Sequence, residues 1–192
     1  MIKTKLPIYL ASKSPRRKKL LEQINLTFKI LPVETPEIFR KGERPVDVVR
    51  RIALEKMDAA KEIIKNGIII TADTIVVING KIIGKPVDKT DAVRMLQKLS
   101  GNTHIVYTGF SVYNSSKQKT ITDYEKTFVT FRKLNLKEIK EYVETGSPLD
   151  KAGAYGIQDD YGAVFIKKIN GCYYNVVGLP LTKVFLTMNG II

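Results

Sequence analysis

At 192 residues with 44% hydrophobic side chains, the chain can bury one sizeable core, which excludes a disordered polypeptide and fits one large domain or two closely packed lobes. A single cysteine, Cys172, rules out an intramolecular disulfide and a cysteine-based zinc cluster, and a single histidine, His104, rules out a multi-histidine metal site. The net charge is +13, of which +8 falls between Met1 and Asn66 (16 Lys and Arg against 8 Asp and Glu), an excess that attracts polyanions without separating nucleotide, nucleic acid and acidic lipid.

The opening MIKTKLPIYLAS has too few apolar residues for a signal peptide or a membrane span, so a soluble cytoplasmic protein is expected. Ile8 to Ala11 is a short apolar strand. Ser14 suits an N-cap and Pro15 the first helical position, opening a helix through Leu20, Leu21 and Ile24. Phe28 to Leu31 reads as a strand and Pro32 to Arg44 as a loop. From Asp47 to Lys65, the spacing of Val48, Val49, Ile52, Ala53, Met57, Ala60, Ile63 and Ile64 predicts an amphipathic helix, ended by Asn66-Gly67. Ile68 to Ala72 and Ile75 to Ile78 read as strand segments on either side of Asp73, followed by an Asn79-Gly80 turn and a return strand near Ile82-Ile83.

Asp88 to Leu99 is a helix with Ala92, Val93, Met95, Leu96 and Leu99 inward and Gly101 as its stop. Ile105 to Tyr113 and Thr120 to Phe131 form a long hairpin around a polar turn at Asn114 to Lys117. Asn135 to Glu144 is helical, Gly146 to Asp160 is a glycine-rich loop, Val164 to Ile169 a strand and Pro180 to Met188 a last helix. The alternation points to α/β or α+β.

With histidine and cysteine this scarce, chemistry must rest on carboxylates, lysines, arginines and hydroxyls, which favours hard oxygen-ligated metals and phosphate. In Ser12-Lys13-Ser14-Pro15-Arg16-Arg17, a strand end meets a helix N-terminus whose free N–H groups favour an anion. The helix dipole contributes ~0.3–1 kcal/mol, whereas an arginine about 4 Å from a phosphate oxygen contributes about 4 kcal/mol at a dielectric of 20 before desolvation. The arginines therefore dominate, unless the segment is an ordinary capped basic helix. Asp73, between apolar segments, must bind a cation, pair with a base or face a cleft, or else mark a strand kink. Glu37 could supply a second oxygen ligand. Lys56 and Lys85, each taken in isolation, read as solvated surface residues, and Gly84-Lys85 lacks the glycine spacing of a P-loop. In Asp150 to Gln158, small residues allow close backbone approach, and the Gln158 amide offers a donor and an acceptor that can read a base edge or simply support the loop. His104 and Cys172 are assigned to packing.

The strings LASKSPRR, ADTIV, GKP, LSGNTHIVYTG, DKAGAYGIQ and NVVGLPL, in this order and spacing, resemble the Maf family over almost the whole chain. The resemblance implies a single α/β domain over 1–192, in one or two lobes: a mixed, elongated, twisted β-sheet flanked by helices with a central nucleotide-binding cleft, similar to the inosine triphosphate pyrophosphatases. It implies hydrolysis of a nucleoside triphosphate between the α and β phosphates with a divalent cation, Mg²⁺ or Mn²⁺. Arg16, Thr74 and Gln158 match the branch that prefers dTTP and UTP. Asp73 becomes the catalytic proton acceptor and a metal ligand, Glu37 a metal ligand, and Ser12, Arg16, Arg17, Lys56 and Lys85 triphosphate contacts. Three positions depart from the family pattern. Pro36 stands where an acidic residue usually precedes the glutamate, leaving Glu34 and Glu37 both open as the ligand; Ser147 and Cys172 replace a glutamate and an aspartate at positions expected to be peripheral.

The expected partner is the nucleoside triphosphate substrate, with no membrane; nucleic acid is disfavoured, and a homodimer is left open. The competing expectation, from the family's association with septum formation, is a regulatory protein binding division machinery or nucleic acid, although no helix-turn-helix, zinc finger or RNP-like pattern is visible.

Overall fold

The computed structural model describes residues 2–158 and 160–192. It is a mixed α/β fold whose strands are β1 (Ile8–Leu10), β2 (Lys29–Ile30), β3 (Ile68–Ile78), β4 (Lys81–Ile83), β5 (Thr103–Asn114), β6 (Lys119–Phe131) and β7 (Ile166–Asn170). They form one sheet in the order β2-β1-β3-β5-β6-β7, with β4 paired to β3. β1 runs parallel to β2 and β3, while β4 is antiparallel to β3 and β7 to β6. The flanking helices are α1 (Pro15–Gln23), α2 (Pro45–Ile63), α3 (Lys89–Leu99), α4 (Leu136–Glu144), α5 (Tyr173–Val177) and α6 (Leu181–Ile191). No helix among the described residues is long and apolar enough to cross a membrane.

The chain divides into two compact units. The first comprises Met1–Asp73, Thr108–Glu125 and Gly178–Ile192, and the second Thr74–Tyr107 and Lys126–Val177. In the first, α2 turns Val48, Val49, Ile52, Ala53, Met57 and Ala60 fully inward, each large apolar side chain contributing about 1.5–3 kcal/mol on burial. The predicted stripe runs out at its end, because the helix stops at Ile63, which is 59% exposed. Gly109 on β5 allows α2 to approach closely, since a Cβ there would lie 2.3 Å from the Val49 carbonyl oxygen.

In the second unit, Val76, Leu96, Leu99, Val129, Ile139, Tyr142 and Phe165 belong to one core. Asp88 caps α3 by accepting from Asp91 N–H at 2.7 Å, and Asn135 and Glu138 form a reciprocal capping box on α4. His104 is buried in that core, hydrogen-bonded through Nε2 to the Tyr155 hydroxyl at 2.8 Å and edge-on to Phe131. Burial pulls its pKa down to about 4. The unfolded chain therefore binds the extra proton between about 4 and the ordinary histidine value of about 6.5. This contribution to stability is complete above pH ~6.5 and shrinks as pH falls toward 4, by about 3 kcal/mol. Urea midpoints should fall over that window, and His104→Phe should flatten this part of the profile; an unchanged profile in the variant would place the acid sensitivity elsewhere.

Two expectations need correction. β3 is one continuous strand through Asp73, not two segments around a kink, because the buried carboxylate is paired in place. Residues Tyr161–Phe165 form a 3-10 turn, capped by Asp160 accepting from Gly162 N–H, so β7 begins at Ile166. Tyr173–Val177, to which the sequence pattern assigns no element, is a short helix. It is fixed by the buried Asn175 amide, which donates to Val106 O at 3.0 Å and Thr127 Oγ1 at 2.9 Å.

Candidate active site

In the first unit, β1 delivers the chain to the N-terminus of α1. Ser14 is the N-cap, its hydroxyl accepting from Arg17 N–H, and Pro15 occupies the first turn. The Ser12 hydroxyl is buried and accepts from Ser14 N–H at 3.2 Å and from Arg17 Nη1 at 3.1 Å. Arg17 Nε donates to the Gly178 carbonyl at 2.8 Å, tying helix α1 to the segment before α6. Burial lowers the Arg17 pKa while the fields of Asp73 and Glu37 raise it and that of Arg16 lowers it. Arg16 is half-buried.

Helix α2 and strand β3 build the second part of the site. Thr71 and Asp73, two residues apart, share one face of the strand. Thr71 Oγ1 donates to the Ala53 carbonyl at 2.7 Å, and Lys56, three residues further along α2, donates to Asp73 Oδ1 at 2.7 Å. The same ammonium donates to Glu37 Oε1 at 2.8 Å. Lys56 is therefore buried between two carboxylates, which corrects the reading of it as solvated surface; Lys85 is exposed as read. Desolvation raises the Asp73 pKa, helped by the nearby Glu37 charge and opposed by Lys56 and Arg17.

The alternative carboxylate, Glu34, is exposed and pairs with Lys13 instead. It does not join Asp73. The loop carrying Glu37 is anchored to α2 by Arg51, which bonds Glu43 through Nε and Nη2 at 2.7 Å each and donates from Nη2 to Ile38 O at 2.8 Å. That clamp escaped the sequence reading, although Glu43, Arg51 and Glu55 lie within one loop-helix junction.

Thr74, Lys85 and Gln158 belong to the second unit. Thr74 is the half-buried residue that follows Asp73 on β3. The loop carrying Lys85 is pinned by Gly84 O, which accepts from Gly153 N–H at 2.9 Å. Gln158 is half-buried, and its Oε1 is buried without a hydrogen-bond partner. A buried acceptor left unpaired costs about 1–3 kcal/mol, an expense usually maintained for a ligand or a mechanism.

The family described as Maf-like protein matches residues 7–191. This chain belongs to the Maf family. Similar proteins include one of Bacillus cytotoxicus, 49% identical over 91% of this chain and 90% of its own length, and one of Syntrophomonas wolfei, 44% identical over 92% and 93%. A Chlorobium phaeovibrioides protein is 44% identical over 95% of both chains. All three carry the name dTTP/UTP pyrophosphatase. One departure from the Maf pattern is less peripheral than expected. Ser147 donates to Asp160 Oδ2 at 2.8 Å and accepts from Lys151 Nζ at 3.0 Å, inside a buried polar network. The other, Cys172, is a half-buried free thiol whose carbonyl accepts from Thr127 Oγ1 at 2.9 Å.

Proposed function

We propose that this Maf protein is a metal-dependent pyrophosphatase that converts dTTP or UTP to the nucleoside monophosphate and pyrophosphate. The observation that carries the reading is the constellation of Asp73, Glu37, Lys56 and Arg17, two carboxylates and two cations gathered around the buried Lys56–Asp73 pair, on the framework shared with relatives named for that reaction. A buried pair such as Lys56 and Asp73 is costly to assemble for stability alone, and such pairs gather where chemistry requires perturbed groups.

Asp73 is the general base. Its carboxylate, made more basic by desolvation, holds the attacking water and takes its proton as the water oxygen bonds to the α phosphorus. The bond from that phosphorus to the α-β bridging oxygen breaks, and pyrophosphate leaves with the electron pair. Ser12, Arg16 and Arg17 take the phosphate oxygens, with Arg17 held in place by its bond to Gly178 O. Lys56 keeps Asp73 and Glu37 together.

No group of three or more His, Cys, Asp or Glu side chains gathers among the described residues. The Asp73 and Glu37 pair suits Mg²⁺ or Mn²⁺, since such ions are commonly held by one or two carboxylates together with substrate phosphates and water. When bound, the ion supplies neutralisation of phosphate charge and acidification of water. In the second unit, the Gln158 amide reads the pyrimidine edge, its unpaired Oε1 accepting from the N3–H of uracil or thymine. The reaction draws on the cytoplasmic nucleotide pool.

A screen of nucleoside triphosphates for pyrophosphate release tests the reading. UTP and dTTP should turn over fastest and only with a divalent cation; release from no triphosphate would sink it. Arg17→Ala should lower kcat/KM for UTP by about ten- to a hundredfold, because a charge-assisted hydrogen bond contributes about 1.5–3 kcal/mol. An unchanged kcat/KM would make that segment an ordinary capped basic helix.

A further inference from the structure

The polar knot around Asp160 lies outside the chemistry described above. Lys151, largely buried, donates from Nζ to Asp150 Oδ1 at 2.7 Å, to Ser147 Oγ at 3.0 Å and to the Ser147 carbonyl, and forms an ion pair with Asp160 Oδ2 at 3.2 Å. The Asp160 side chain is only 3% exposed. It accepts from Ser147 Oγ at 2.8 Å, from Gly162 N–H at 3.1 Å and from the Tyr142 hydroxyl. That hydroxyl in turn accepts from Gly156 N–H at 3.3 Å. Packing is equally tight: a Cβ on Gly156 would lie 2.7 Å from Asp160 Oδ2 and 2.9 Å from Lys151 Cε.

Gln158 stands midway between Gly156 and Asp160, two residues from each. The network thus anchors the chain at Gly156, before Gln158, and at Asp160, after it, while the Gln158 Oε1 is left unpaired. A partly exposed loop residue with a flexible side chain makes a poor selector unless its main chain is fixed, because a misplaced amide loses the directional part of its hydrogen bond. Desolvation alone would raise the Asp160 pKa, but hydrogen bonds from Gly162 N–H, Ser147, Tyr142 and Lys151 outweigh it and keep the group ionised. The network thus holds a full negative charge against the Lys151 ammonium and resists loosening.

We infer that Asp160, Lys151 and Tyr142 are positioning residues for base selection, acting through Gln158. The inference rests on the reading that Gln158 contacts the base. It predicts that loosening the knot lowers discrimination between pyrimidine and purine triphosphates while leaving phosphate binding intact.

The experiment measures kcat/KM for UTP and GTP, together with inhibition by tripolyphosphate, in full-length Asp160→Asn, Tyr142→Phe and Gln158→Ala and in each knot variant combined with Gln158→Ala. Tyr142→Phe keeps the ring packed edge-on to Phe165 at 5.2 Å and removes only the hydroxyl, so it decides the matter if Asp160→Asn does not fold. Each knot variant should reduce the UTP to GTP ratio about fivefold or more, the lower end expected from one lost hydrogen bond, with the tripolyphosphate inhibition constant unchanged. In the Gln158→Ala background the knot variants should reduce the ratio no further. A ratio unchanged by the knot variants, or an equal additional loss without Gln158, overturns the positioning role even where Gln158→Ala alone lowers the ratio. If Gln158→Ala leaves the ratio at wild type, the base-reading assignment itself fails, and that single variant reports it.

Discussion

Asp73→Asn should lower kcat for UTP by about a hundredfold or more, the smaller end of what a positioned general base contributes, with the fold retained. The amide is nearly isosteric and can still accept from Lys56, whose bond to Asp73 Oδ1 is 2.7 Å, so the β3 backbone has no reason to move. What is lost is the capacity to take a proton and one of the two carboxylates suited to a divalent cation. Because both losses fall on the chemical step, kcat should drop far more than KM rises. A purified, folded variant with more than about a tenth of wild-type kcat, a barrier change under ~1.4 kcal/mol, would remove Asp73 from the catalytic role.

Lys56→Met should be the most destabilising change in the site as well as an inactivating one. Methionine fills the space of the lysine stem among the buried residues of α2, so little cavity is expected, and the cost is electrostatic. Removing one partner of a buried ion pair leaves the other uncompensated, at about 3–5 kcal/mol. The Asp73 side chain is 6% exposed and cannot recover that cost from water, and Arg17, although it acts on Asp73, does not replace the direct bond. Turnover should fall because Asp73 and Glu37 lose the ammonium that holds them together. Urea unfolding of Lys56→Met, Asp73→Asn and the double variant reads the coupling. The double variant should be more stable than Lys56→Met alone, since it no longer buries an unpaired charge. Strict additivity would mean that the two side chains do not stabilise each other.

Much of the site was readable because local rules acted without competition. Ser14 and Pro15 announce a helix start by capping chemistry alone, and the segment adopts it. The cost of a carboxylate inside an apolar strand marked Asp73 in advance. What the same argument missed was how the cost is met. A strand kink and a buried lysine partner satisfy it equally well on paper, and only the packing of α2 against β3, with Thr71 bonded to Ala53 O, puts Lys56 opposite Asp73. Glu34 and Glu37 were indistinguishable for a related reason: their loop has no periodicity, and their partners, Lys13 on one side and Lys56 on the other, are far apart in sequence. The knot around Asp160 was hidden within a glycine-rich stretch, where composition describes backbone freedom but not which charges become buried. Tyr173–Val177 was assigned no element because its β-branched and aromatic side chains carry no helical pattern, and two hydrogen bonds from a buried asparagine hold it as a helix.

The central claim is that this chain cuts the anhydride between the α and β phosphates. Phosphorus NMR of UTP incubated with the full-length protein and Mg²⁺ reads that bond directly. UMP and pyrophosphate should accumulate in equal amounts, and Asp73→Asn under the same conditions should leave UTP essentially intact. Formation of UDP and inorganic phosphate, or equal turnover by the wild type and Asp73→Asn, would contradict the account.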